Sequence, residues 1–252
     1  MSPLPPDPAP PLEDPPGPFA LLAPPTPTLL CNPDPNAHHR FLHQVLARNN
    51  RNRVLSGAVA AVAEHGYPKT SVERIIAAAG VSRYAFYGQF PDKETCLLAA
   101  YDRGLAWLEQ ELTAALLGAG DWAEQVRIAT ARALALLAAD LGVARLLATE
   151  ILCIGPAGPA RRRALVDRLI PLLRRGRAEA PGSAAATPRL ELALASGAIS
   201  LVGRELSAGR GERLAELAPD LAEFLLTPYL DAAPARLLIR GAPLPRPAPA
   251  SR

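Results

Sequence analysis

Ser71, Ser82, Arg83, Tyr84, Tyr87, Gln89 and Lys93 bring two hydroxyls, two cations, two phenols and a carboxamide into one short stretch of a 252-residue chain. Such groups hydrogen-bond to phosphate oxygens and to the edges of bases. None of them sits as a nucleophile beside a base. The chain also lacks a nucleophile elbow, a phosphate-binding glycine loop and a His-Glu-x-x-His pair. The chemistry on offer is therefore recognition rather than bond breaking: no enzyme, no catalytic residue and no cofactor are expected.

Recognition of a polyanion needs positive charge close by. The net charge of +3 is too small to show it, but its distribution is informative. Residues 1–36 hold four Asp/Glu and no Lys or Arg; residues 37–92 hold seven Arg/Lys against three Asp/Glu, hence +4. The densest positive block is thus the one that carries the candidate residues. Residues 1–36 also contain fourteen of the 28 prolines and read as a disordered leader, and residues 232–252 as a flexible tail. No basic segment followed by an apolar one opens the chain, and no long uncharged apolar run crosses it. A cytoplasmic protein without a membrane partner is the expectation.

The elements that must position these side chains are helices. Ala, Leu and Arg dominate between leader and tail, and alternating β-branched runs are missing, so an all-α fold is expected. Val54, Leu55, Ala58, Val59 and Val62 share one face of a helix over 51–65, closed by Gly66. Thr70-Ser71 supplies the cap of a second helix with Ile75, Ile76 and Ala79 on its buried side. Gly80 supplies the positive φ at its end, Val81 plugs the turn and Ser82 caps a third helix through Phe90. On that helix Phe86 and Phe90 point inward together, leaving Tyr84, Ala85 and Gly88 outward, flanked by Tyr87 and Gln89. Helix, glycine turn and helix make a helix-turn-helix, whose outer face suits the major groove. Pro91-Asp92 ends it and starts the next helix, with Lys93 in its first turn.

Tyr67-Pro68-Lys69-Thr70-Ser71-Val72, Ile75-Ile76-Ala77-Ala78-Ala79-Gly80-Val81-Ser82 and Phe86-Tyr87-Gly88-Gln89-Phe90-Pro91-Asp92-Lys93-Glu94 together resemble the DNA-binding domain of TetR-type transcriptional regulators. The resemblance spans about a fifth of the chain. It implies that Ser71 and Ser82 cap helices beside phosphates, that Tyr87 and Lys93 bind backbone phosphates, and that Arg83, Tyr84, Ala85 and Gln89 occupy groove positions. Tyr84 and Gly88 depart from the residues more usual there, so no relative's base preference transfers. The resemblance further implies a homodimer on a double-stranded palindromic DNA operator, usually a repressor released by a small-molecule effector. A helical small-molecule binding or scaffold protein with a degenerate DNA-binding head is the alternative that these departures keep open.

The expected organisation is a head over 37–92 and a helical ligand-binding and dimerisation domain over 93–231. Six further helices are expected near 92–117, 122–139, 142–154, 159–177, 188–208 and 218–230, with a kink at Pro171. Trp107, Trp122 and Glu150 are the candidate pocket residues. Leu190, Leu194, Gly197 and Leu201, with Ala198 beside Gly197, form a seam, and Leu221, Phe224, Leu225 and Tyr229 a matching stripe on the last helix. Both fit internal packing or a dimer interface, and the family resemblance favours an interface centred on Leu194, Gly197, Ala198, Leu201, Leu221 and Leu225. Arg161-Arg162-Arg163 is mainly a solvated face, with an anionic ligand as the second reading. His39 and His43 are four apart on a possible extra helix, but no Cys or carboxylate completes a metal site. Cys31, Cys96 and Cys153 are too widely spaced for zinc and read as reduced thiols.

Overall fold

A computed structural model describes the backbone of residues 35–179 and 188–230, and the side chains of 48–179 and 189–230. Among these residues there are nine α-helices and no strand: α1 Pro35–His65, α2 Val72–Ala79, α3 Arg83–Tyr87, α4 Lys93–Ala115, α5 Trp122–Ala139, α6 Leu141–Ala148, α7 Ala157–Glu179, α8 Pro188–Ser207 and α9 Ala218–Leu226. No helix among them is long and apolar enough to cross a membrane. The all-α expectation holds. Most of the expected leader, the whole of the expected tail, Cys31 and the side chains of His39 and His43 lie outside the described residues.

Several boundaries differ from expectation, each for a local reason. The first helix is continuous from Pro35, because after that proline no second one interrupts the chain before Pro68. The expected helix over 142–154 ends at Ala148, where the Thr149 hydroxyl donates back to the Arg145 carbonyl at 2.9 Å; a 3-10 turn, Glu150–Cys153, follows. The last helix stops at Leu226 rather than 230: Thr227 still has helical dihedrals, but Pro228 has no N–H with which to continue the ladder. A further 3-10 segment, Gly211–Leu217, joins α8 to α9. α7 runs on through Pro171 to Glu179.

Two apolar clusters organise the fold. The larger joins Val54, Leu55, Ile75, Phe86 and Phe90 of α1–α3 and its following turn to Leu97, Tyr101, Leu134, Leu146, Ile151 and Leu221, so apolar packing passes uninterrupted across residue 92. The smaller holds Trp122, Val166, Leu173, Leu194, Leu226 and Tyr229. Here the indole N–H of Trp122 donates to the Leu172 carbonyl at 2.8 Å, and its ring meets Tyr229 edge-on at 5.0 Å. A Cβ on Gly176 would lie 2.5 Å from the Trp122 ring, so α7 approaches the indole as only glycine permits. The candidate pocket residue Trp122 is therefore fully engaged as core.

The candidate dimer stripe divides in the same way. Leu194 and Leu221 are buried in the two clusters and have no surface to give a second copy. Gly197 lies under the Phe224 ring, with a Cβ position 3.0 Å from it, and so serves α8–α9 contact within the chain. Ala198, Leu201 and Leu225 are half-buried against the main cluster. The exposed large apolar side chains on these helices are Leu192 and, from the expected stripe itself, Phe224. A period-seven stripe marks the inward face of a helix as readily as an interface, and here the chain's own packing takes up Leu194 and Leu221.

Candidate nucleic-acid interface

The head is built on tight local closures. The Ser71 hydroxyl accepts the Arg74 N–H at 3.4 Å, Ser82 that of Ala85 at 3.1 Å, and the Asp92 carboxylate that of Thr95 at 2.7 Å, so each expected cap forms. Each such cap contributes about 1 kcal/mol. Gly80 takes φ +59° between α2 and α3, as the turn requires. Arg53 of α1 donates to its carbonyl at 2.6 Å, fastening the turn to the scaffold helix. Gly57 lets α2 come close to α1: a Cβ there would stand 2.6 Å from that of Ala79.

α3 is shorter than expected. Regular helix covers Arg83–Tyr87, with Gly88 as its C-cap at φ −69°, and the coil closes when Phe90 N–H donates to the Phe86 carbonyl at 2.9 Å. Gly88, which costs about 1 kcal/mol inside a helix, thus sits at its end. Phe86 and Phe90 are 0% and 2% exposed, with ring centroids 6.2 Å apart. Tyr84 is 89% exposed and Tyr87 48%, the latter edge-on to Phe86 at 5.3 Å. Gly88 is exposed, while Ala85 and Gln89 are half-buried. No other part of the described chain covers the Tyr84 side.

Two candidate cations have internal partners. Arg83 pairs with Glu73 of α2 at 2.6 Å, both well exposed. Two glutamate-directed hydrogen bonds, from its own N–H and from the Ser71 hydroxyl, and then the Arg83 guanidinium, hold the Glu73 carboxyl below its usual range. The Lys93 ammonium donates to the Thr70 carbonyl at 2.8 Å and the Tyr67 carbonyl at 3.2 Å, and stands 4.4 Å from the Tyr67 ring centroid. It clamps the 3-10 turn Tyr67–Lys69 onto the start of α4, and one of its three donors is left over. Thr70 adds to this clamp from within, donating to the Gly66 and Ala61 carbonyls at 2.9 and 3.2 Å.

Sequence reasoning missed Lys69 and Arg74, which are exposed beside Ser71; Arg74 donates to the Lys69 carbonyl, which holds the two basic side chains on one edge of the head. Their charge in the positive block was the available signal. It also missed the fastening of head to body. Glu150, a candidate pocket residue, instead accepts the Tyr67 N–H at 2.8 Å, and Arg145 of α6 donates to the Ala63 carbonyl at 2.9 Å. Trp107 is half-buried against the main cluster. The three candidate pocket residues are thus not brought together.

Residues 54–100 match the profile of the family described as bacterial regulatory proteins, tetR family. No curated protein matches the sequence. Among solved structures, the fatty acid degradation regulator FadR from Bacillus halodurans is similar at TM-score 0.63 and 22% identity, over 70% of this chain and 94% of that one. FadR from Bacillus subtilis, solved in complex with stearoyl-CoA, is similar at TM-score 0.62 and 19% identity, over 70% and 97%. A regulatory protein of the tetR family from Rhodococcus RHA1 is similar at TM-score 0.53 and 21% identity, over 69% and 96%. These likenesses concern the fold, while the profile match falls on the capped helix-turn-helix itself. Residues 54–100 are thus similar to the tetR-family DNA-binding domain by profile, and the described chain as a whole is similar in fold to regulators of that type.

Proposed function

We propose that the chain is a homodimeric repressor that binds a palindromic DNA operator and leaves it when a small-molecule effector occupies the helical body. The head spans 37–92 and the ligand-binding and dimerisation domain 93–231. In this reading Ser71, Ser82, Tyr87 and the spare donor of Lys93 meet backbone phosphates, while Arg83, Tyr84, Ala85, Gly88 and Gln89 face the major groove. The observation that carries it is the split of α3: Phe86 buried at 0% and Tyr84, two residues earlier, exposed at 89%. A large aromatic ring held out in solvent on a helix whose other aromatic anchors the core is poised to pack on a base or its sugar.

Two copies related by a dyad would place their reading helices about 34–36 Å apart, one turn of the duplex. The outward apolar side chains Leu192 on α8 and Phe224 on α9 are the surface that suits such pairing. Effector and operator then compete through the spacing of the two heads, and each weakens the other by the same factor. The FadR–stearoyl-CoA complex supports a ligand-responsive body. The direct test is fluorescence anisotropy with duplexes from the DNA flanking the chain's own gene, at several salt concentrations. Sequence-selective binding that Tyr84→Ala redirects is expected; binding to no duplex above the non-specific level favours the degenerate-head reading.

A further inference from the structure

The arginine run at the start of α7 does three different things. Arg161 makes a two-point contact with Asp102 of α4 at 2.9 and 3.0 Å, and two helical turns on, Arg168 meets Glu109 at 2.7 Å. Both rungs advance together on the two helices, so α4 and α7 run side by side in the same direction. Arg163 faces solvent. Arg162, between these, is half-buried, with its Nη1 sealed from solvent.

The Arg161–Asp102 contact brings the neighbouring Arg162 within electrostatic reach of Tyr101 of α4, a fully buried residue at 1% exposure. The Tyr101 hydroxyl and the Arg162 Nη1 are both sealed from solvent, and neither has a hydrogen-bond partner among the described residues. The other charged groups acting on the phenol are Asp102, Arg161 and Arg168. Asp102 and Arg161 cancel each other, and Arg168 is cancelled by Glu109. The guanidinium of Arg162 has no ion pair among the described residues. Burial pushes the phenol up to about 12, so it remains an O–H donor at neutral pH. Two sealed donor atoms, one belonging to a half-buried guanidinium, therefore adjoin the apolar cluster that contains Tyr101, Leu105, Leu147, Ile151, Ile154 and Leu165.

A buried donor without an acceptor is unfavourable, a buried charge more so, and both are tolerated where a ligand completes them. We propose that Tyr101 and Arg162 receive the oxyanion head, carboxylate or phosphate, of an otherwise apolar effector. This rests on the reading of the helical body as an effector domain. The position also gives the ligand a route to the DNA head. Gly158, one turn before Arg162, packs so closely on the Ile151 carbonyl that no Cβ fits, and the neighbouring Glu150 holds the Tyr67 N–H. Drawing the start of α7 toward a ligand moves the turn that fastens the head.

The test uses the full chain without DNA, titrated calorimetrically with octanoate, octyl phosphate and octanol. At least one of the two oxyanions is expected to bind about tenfold or more tightly than octanol, the gain of a charge-assisted hydrogen bond. Their order identifies the head group. Arg162→Met should erase that preference, and Tyr101→Phe, which keeps the ring in the core, should reduce it several-fold. Should Arg162→Met fail to fold, as judged by circular dichroism, Tyr101→Phe carries the test. Equal binding of octanol, no binding of either oxyanion, or an undiminished preference in the folded variants overturns the proposal. Because DNA is absent, these outcomes are independent of whether the head reads an operator, which the Tyr84→Ala titration decides.

Discussion

Glu150, on a 3-10 turn of the helical body, accepts the backbone N–H of Tyr67, the residue that leads into the second helix of the head, at 2.8 Å across 83 positions of sequence. It shares the junction with Arg145, which holds the Ala63 carbonyl at the end of α1. The two contacts take both sides of the His65–Gly66 corner.

Replacing Glu150 by Ala strands the Tyr67 N–H, at a cost of about 1–2 kcal/mol in urea unfolding. Glu150→Gln keeps an acceptor and should stay near the parent. If the contact transmits the effector signal, the Ala variant also loses part of the mutual weakening between effector and operator. Measuring operator affinity with and without effector reads that loss.

Tyr84 and Phe86 predict opposite failures. Tyr84→Ala should change stability by no more than about 0.5 kcal/mol, since the side chain is solvent-exposed, while altering which duplexes are selected. Phe86→Ala opens the head core and should cost about 3–5 kcal/mol, abolishing binding to every duplex. Thermal melts paired with selection from a random duplex pool separate the two.

Lys93 is both clamp and candidate phosphate contact. Lys93→Met should cost about 1–2 kcal/mol through the Tyr67 and Thr70 carbonyls, and weaken binding to all sequences alike. If its third donor reaches a phosphate, the slope of log affinity against log salt also falls by about one. A slope equal to the parent's assigns Lys93 to the clamp alone.

Gly57→Ala should push α1 from α2, because the new Cβ falls 2.6 Å from both the N and the Cβ of Ala79, which are backbone-fixed atoms. Overpacking of this kind costs about 1–3 kcal/mol. The head should lose DNA affinity while binding of octanoate or octyl phosphate to the body is retained, a contrast that anisotropy and calorimetry on one preparation reveal.

Alkaline pH should destabilise the fold from about pH 9. Burial raises the Cys96 thiol from 9.0 to about 12, and the Tyr101 and Tyr229 phenols from 10.0 to about 12. Between the unfolded and folded values the folded chain holds more protons, so stability falls as pH rises; it is fully present below pH 9. Urea midpoints across pH 8 to 11 should be flat at first and then decline, and Cys96→Ala should remove the earliest part of the decline.

The head was readable because its determinants are local. Ser71, Ser82 and Asp92 bond to N–H groups three residues on, Gly80 adopts its conformation by itself, and Phe86 and Phe90 meet one turn apart. The glycine at 88 marked where α3 relaxes into a turn while keeping the same faces. The body was less legible. Leu194, Leu221 and Trp122 have the residue types of an interface or a pocket, and apolar type alone does not say which neighbour is met.

From the order of residues alone come the all-helical class, the capped helix-turn-helix and the inward aromatic pair, since helical period and capping act within about one turn. Tertiary packing alone settled that Glu150 ties body to head, that Arg161 and Arg168 are neutralised across α4, and that Arg162 and Tyr101 lie within electrostatic reach of each other, each with a sealed donor atom unpaired. Those partners lie 59 to 83 positions apart, and nothing in a local pattern fixes which charge will find which. Only the approach of whole helices, driven by burial of their apolar faces, makes that choice.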